Sequence, residues 1–161
     1  MKQTMTNPID ETGNRQAEVD FDLTNSLAFR MVKLVNVLTR EFQREFEADL
    51  DLGLPEWRVI AALHRKPGMA AADIARLTGQ NPMIISRAVK RLLSMARIER
   101  RAMRGDARRF QLFLTAAGTE VFKQISPLAI RWERALVDEM LPQDIISISN
   151  LIDGAIERFD S

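Results

Sequence analysis

The sequence of 161 residues contains no cysteine. Disulfides, thiolate metal sites and thiol redox sensing are excluded together. Histidine occurs once, at His64, so neither a His/Cys metal site nor a Cys–His pair can be assembled. Ser-His-Asp chemistry would rest on that single imidazole, with no nucleophile motif nearby, and there is no glycine-rich phosphate loop. The expectation is a non-enzyme without metal or cofactor, with His64 bonding a carbonyl at a helix end. No apolar run approaches the roughly 18 residues that a membrane span requires. The opening stretch, MKQTMTNPIDETGNRQAEVDFD, has no apolar core of signal-peptide type and reads as a mobile tail over residues 1–22. A cytoplasmic protein without membrane attachment is expected.

Net charge is also nearly absent, at +1, yet the charge is unevenly placed. Between Arg87 and Arg109 nine basic residues face two acidic ones, a segment charge of +7 that leaves −6 for the rest. A single-sign cluster is an electrostatic footprint for a polyanion, although a solvated surface face would look the same. Its place in the fold has to decide.

Apolar residues at three- and four-residue steps (Leu27, Met31, Leu34, Val35, Leu38, Phe42, Phe46) predict a long helix from 23 to about 50. Thr24 is the expected cap, and Gly53 lies past the helix end. At about 26 residues and roughly 39 Å, that helix exceeds what a small core needs, which suggests packing on another chain; folding back on its own subunit is the alternative. Pro55 opens a second helix carrying Trp57, Ile60, Ala61 and Leu63 toward the core, closed by Pro67-Gly68. A short helix from about Ala71 to Thr78 follows, with Gly79 in a left-handed turn. Asn81 caps the next helix, Pro82 takes its first position, and it runs to about Met95. The period then changes: Arg97–Met103 and Arg108–Thr115 read as strands, joined by Arg104-Gly105-Asp106-Ala107 as a hairpin turn. After Thr115, a candidate cap, a long helix returns, kinked or weakened by one turn at Pro127. A last helix carries Ile145, Ile148, Leu151, Ile152, Ala155 and Phe159.

The spacing of Ala75, Gly79 and Ile85 is that of a helix-turn-helix. Ala75 lets the helices approach, Gly79 makes the turn, and Ile85 fills the angle. A helix-turn-helix followed by a basic hairpin is a winged helix. In this reading Ile84, Ile85, Ala88 and Leu92 hold the second helix down, while Asn81, Pro82, Met83, Ser86, Arg87 and Lys90 present themselves to a duplex. Arg87 suits a guanine edge, Met83 a thymine methyl, and Ser86 and Lys90 phosphates. Arg91 lies nearer the core side and is equally suited to a structural role. Arg104 and Arg108 at the wing tip suit a minor groove. Asp106 has two open roles: orienting an arginine by an ion pair, or simply making the turn.

The segments LPEWRVIAAL, DIARLTG, SRAVKRL, RIERR and GDARRFQLFLT resemble the multiple-antibiotic-resistance regulator (MarR) family of bacterial transcription factors, over roughly residues 24–158. The resemblance implies a mostly α fold with a small β-hairpin wing, as an obligate homodimer built from the first helix and the last two. It also implies binding of double-stranded DNA at an inverted-repeat operator, and release by a small aromatic or anionic effector. That effector would bind near Phe29, Arg30, Trp57 and Arg58, although Trp57 equally suits core packing. The implied organisation is a tail over 1–22, a dimerisation helix over 23–53, a DNA-binding domain over 54–115 and dimerisation helices over 116–161. Two departures stand out: Ala96 where the family usually has glycine after the recognition helix, and Ala107 where a second wing arginine is common. Independently of the resemblance, one recognition helix reads few base pairs, and two related by a twofold axis read half-sites about 34 Å apart. A winged helix that docks protein, and a DNA binder without an effector, are the alternatives.

Overall fold

The computed structural model describes residues 22–103 and 106–159, with the side chains of 46–49, 103 and 106–109 outside that description. In chain order the elements are α1 (Leu27–Leu50), α2 (Leu54–Arg65), α3 (Ala71–Thr78), α4 (Pro82–Ser94), β1 (Ile98–Met103), β2 (Asp106–Leu114), α5 (Ala116–Val137) and α6 (Pro142–Phe159). This is the expected mostly helical fold with one antiparallel hairpin. Two compact units divide between Arg40 and Glu41, inside α1.

In the first unit, a 3-10 turn over Leu23–Asn25 precedes α1. The expected cap, Thr24, lies inside that turn. Asp22 is the acceptor there, its Oδ1 receiving the Thr24 N–H at 2.9 Å. Those hydrogen bonds hold the Asp22 carboxyl below the usual carboxylate range. α1 itself starts later than expected, at Leu27, where Ser26 Oγ accepts the Phe29 N–H at 3.4 Å. Arg30 closes the same turn, with Nε donating to the Thr24 carbonyl at 3.2 Å and a terminal nitrogen to Asn25 Oδ1 at 3.1 Å. The apolar stripe of α1 is left uncovered at Leu27, Leu34 and Val35.

The second unit carries the core. Leu52, Val59, Ile60, Leu63, Ile74, Ile85, Leu92, Ile98, Leu112 and Ile125 are buried together with Phe42. Alternation places Ile98 and Leu112 on the inner hairpin face. The register pairs Ile98 with Leu114, Arg100 with Leu112 and Ala102 with Phe110, and an irregularity follows between Ala102 and Met103. On its other edge β2 exchanges hydrogen bonds with the loop after α2, Gly68 N to Leu112 O at 2.8 Å and Leu112 N to Met69 O at 3.1 Å. The wing is thereby fixed to the end of α2.

Two non-glycine residues take left-handed backbone, Asp51 (φ 50°) and Ala96 (φ 52°). Gly53 was expected past the end of α1, and there it is the extended N-cap of α2 (φ −88°, ψ 171°). The left-handed residue after α1 is Asp51 instead; Asp is among the side chains that best tolerate that conformation. Ala96 occupies the position where glycine would be unstrained. It is held there by Thr115, whose hydroxyl donates to the Ala96 carbonyl at 2.8 Å and accepts the Gly118 N–H at 3.1 Å. The end of α4, the start of β1 and the start of α5 are thus tied by one side chain. Gly118 is required at this point, because a Cβ there would stand 2.0 Å from the Arg97 carbonyl oxygen.

α5 continues through Pro127 as one helix, and α6 begins at Pro142. α6 contains no buried residue. Its apolar positions Ile148, Leu151, Ile152 and Phe159 are exposed, Phe159 at 90%.

Candidate nucleic-acid interface

The corner between α3 and α4 is built from local chemistry. Thr78 turns its hydroxyl back to the Ile74 carbonyl at 2.8 Å. Gly79 adopts φ 60°, ψ 21°, and the Gln80 N–H closes onto the Ala75 carbonyl at 3.0 Å, which ends α3 as a left-handed cap. Ala75 is buried where the helices meet. Asn81 then starts α4, its Oδ1 accepting the Met83 N–H at 2.8 Å, with Pro82 in the first turn where no N–H is needed. The Asn81 carbonyl-type oxygen is used in this cap, and its amide NH2 is the group left for a ligand.

The core-facing stripe of α4 is Ile85, Ala88, Val89 and Leu92, a three-four-seven spacing. Ile84 was expected in that stripe and is 41% exposed. It lies one residue, about 100°, off the stripe, and the angle of the corner is already filled by Ile85. Val89 takes the core place that sequence reasoning did not give it. The outward side carries Pro82, Met83 at 62% exposure, Ile84, Arg87 and Lys90, with Ser86 half-buried. Asn81, Pro82, Met83, Ser86, Arg87 and Lys90 therefore lie on one element, and all but Ser86 are exposed.

The basic run splits into two groups. Arg91 forms an ion pair with Asp51 and lies 3.8 Å from Glu56 Oε1. Glu56 is buried, and its Oε2 accepts the Gly53 N–H at 3.1 Å. Arg91 thus pins α4 to the end of α1 and the start of α2, the structural role. Arg97 is half-buried and donates to the Leu50 carbonyl at 2.6 Å, while its other terminal nitrogen is buried without a hydrogen-bond partner among the described residues. Burial lowers the Arg97 pKa; Asp51 opposes that shift and Arg91 adds to it. Arg101 pairs with Glu99 and lies 4.4 Å from the centre of the Phe113 ring. Arg87, Lys90 and Arg100 have no carboxylate partner among the described residues. Three of the six described cations in the run therefore serve the fold. Arg104 lies outside the described residues. Asp106 and Arg108 belong to β2, with their side chains outside the description.

The remaining sequence-stated residues are distributed between the units. Phe29 and Arg30 lie in the first, Arg30 engaged with its own turn. Trp57 and Arg58 lie on α2 in the second. Trp57 stacks on Phe122 of α5 (5.6 Å between ring centres, 20°), and His64 stacks on the same ring at 3.6 Å and 14°. Seven helical residues rise about 10.5 Å, so the two α2 rings flank Phe122 and clasp α2 to α5. The structure thus gives Trp57 its packing role. The carbonyl bond expected for His64 is not among the described hydrogen bonds; its ring is a packing surface. Arg58 is half-buried, and burial lowers its pKa. Among the described residues no group of His, Cys, Asp and Glu could hold a metal ion, and no helix is long and apolar enough to cross a membrane.

Comparison with known proteins agrees with this geometry. Residues 50–109 match the model of the MarR family, the stretch from the end of α1 through α2, α3, α4 and into β2. The fold is similar to that of a MarR/EmrR family transcriptional regulator from Acinetobacter sp. ADP1, with 23% identity, 87% of this chain and 99% of that chain covered, and a TM-score of 0.79. It is similar to S. aureus MepR in a structure of its DNA complex, at 14% identity, coverage of 83% and 96%, and a TM-score of 0.74. The PcaV regulator from Streptomyces coelicolor, solved with its natural ligand, shares 18% identity over 85% and 96% of the chains, with a TM-score of 0.73. No curated protein matches at the sequence level.

Proposed function

Proceeding from a chain with the winged helix-turn-helix fold of MarR-family regulators, we propose that it is a dimeric, sequence-specific DNA-binding regulator of the cytoplasm. It represses transcription from an inverted-repeat operator and is released by a small aromatic or anionic ligand. One observation carries the reading: among the described residues Arg87 and Lys90 have no carboxylate partner on the exposed side of a capped, core-anchored helix, while other arginines of the run are consumed by the fold. Charge left unpaired on one face is charge available to phosphates and guanine edges. The exposed apolar face of α6 supports self-association, since such a face on a lone chain would be left in water. In this reading 23–53 and 116–161 form the dimer and 54–115 bind DNA, with Arg104 and Arg108 directed to the minor groove and Asp106 orienting an arginine or making the turn.

The test is fluorescence anisotropy on an inverted-repeat duplex and on random DNA. Arg87→Ala removes about 1–3 kcal/mol of discrimination, whereas Lys90→Ala weakens both complexes alike. An unchanged operator-to-random ratio in Arg87→Ala refutes base reading by Arg87. A protein-docking role is the second reading, favoured by the exposure of Met83, Ile84 and Leu77. It prevails if the wild-type chain has no salt-dependent affinity for duplex DNA.

A further inference from the structure

Resting on the DNA-binding reading, we infer that Arg100 is a phosphate-contacting residue and that Phe110 positions it. Strand alternation separates the two adjacent arginines of β1. Arg100 shares the hairpin face of Ile98 and Leu112, both buried against the helical core, and so lies on the side of the wing that turns toward the helices. Arg101 lies on the opposite face with Glu99, to which it is paired. Beyond the edge of the core the inner face continues into solvent as Arg100 and Phe110. The Arg100 guanidinium carbon sits 4.9 Å from the centre of the Phe110 ring, within cation–π distance.

An exposed phenyl ring on a short hairpin has no core to fill. Its effect here is to hold a long, flexible cation in one orientation without neutralising it. A carboxylate in the same place would cancel the charge that a phosphate needs, as Glu99 does for Arg101. The ring leaves the guanidinium hydrogens free to donate and removes part of the ordering cost of binding. The contact is with the backbone, so it carries no sequence information.

The experiment uses the full-length chain and a labelled random-sequence duplex longer than two helical turns, titrated between about 50 and 200 mM salt. Arg100→Ala is expected to weaken binding by roughly five- to tenfold near 0.1 M and to reduce the slope of log affinity against log salt by about 0.9. Arg101→Ala removes the same formal charge from the next residue and is expected to leave the slope unchanged. Phe110→Leu keeps apolar bulk and loses the ring. It should weaken binding by a smaller factor in the wild-type background and have no effect in Arg100→Ala. Equal slopes for the Arg100 and Arg101 variants overturn the contact. An undiminished Phe110→Leu effect in Arg100→Ala overturns the positioning role. A wild-type chain that binds no duplex overturns the DNA-binding reading itself, a different outcome from wild-type binding that Arg100→Ala leaves intact.

Discussion

Replacing Gly118 by alanine tests the knot that joins α4, the hairpin and α5. The added Cβ would stand 2.0 Å from the Arg97 carbonyl oxygen and 3.0 Å from its carbon. Both are backbone atoms, so no rotamer change relieves the overlap. Restoring ordinary contact needs a displacement of more than about 1 Å. That movement pulls on the Thr115 N–H bond to Arg97 O (3.1 Å), the Gly118 N–H bond to Thr115 Oγ1 (3.1 Å) and the Thr115 hydroxyl, whose one hydrogen is shared between the carbonyls of Ala96 (2.8 Å) and Arg97 (3.0 Å). Overpacking costs typically 1–3 kcal/mol, so about 2 here, and each weakened hydrogen bond about 1 kcal/mol. Against this, alanine in place of glycine favours the helix by up to about 1 kcal/mol. The net loss is about 2–4 kcal/mol, or roughly 5–15 °C in Tm for a chain of this size. Urea unfolding at one fixed protein concentration, so that self-association is held constant, measures it. A Gly118→Ala chain within about 0.5 kcal/mol of wild type would mean that α5 does not bear on Arg97 as described.

Two further outcomes follow from strain and capping. Ala96→Gly relieves the left-handed conformation at φ 52° and is expected to stabilise by about 0.5–1 kcal/mol in the same urea assay; a loss of stability contradicts the strained backbone. Asn81→Ala removes the acceptor for the Met83 N–H and should cost about 1 kcal/mol. Hydrogen exchange should quicken at the first turn of α4, and unchanged protection there argues against the cap.

Local chemistry was legible in the sequence, and long-range pairing was not. Gly79, Asn81-Pro82, Pro55 and Thr115 marked their boundaries correctly because each acts through its own backbone within three residues. Ala96 was flagged only by the resemblance, as an alanine where the family usually has glycine. Thr24 and Gly53 failed as markers because α1 starts only at Leu27, with Ser26 as the acceptor at its first turn, and because Asp51 took the left-handed role. Ile84 failed because a helical stripe has a width, and whether its edge is covered depends on what the facing helix already fills. The division of the basic run was out of reach. Arg91 meets Asp51 across 40 residues and Arg97 meets Leu50 across 47, and no spacing rule joins them. Phe110 carried a usable signal, an aromatic on the inner-face parity of a strand past the last buried position, opposite Ala102.

The central claim is that two copies of this winged helix lay the unpaired cations of α4 on one duplex. Its most direct measurement is the affinity and stoichiometry of the wild-type chain on an inverted-repeat duplex across a salt series. The account gives two chains per duplex, with log affinity falling linearly against log salt, and tighter binding than to random DNA of equal length. One chain per duplex, or an affinity indifferent to both salt and sequence, contradicts it.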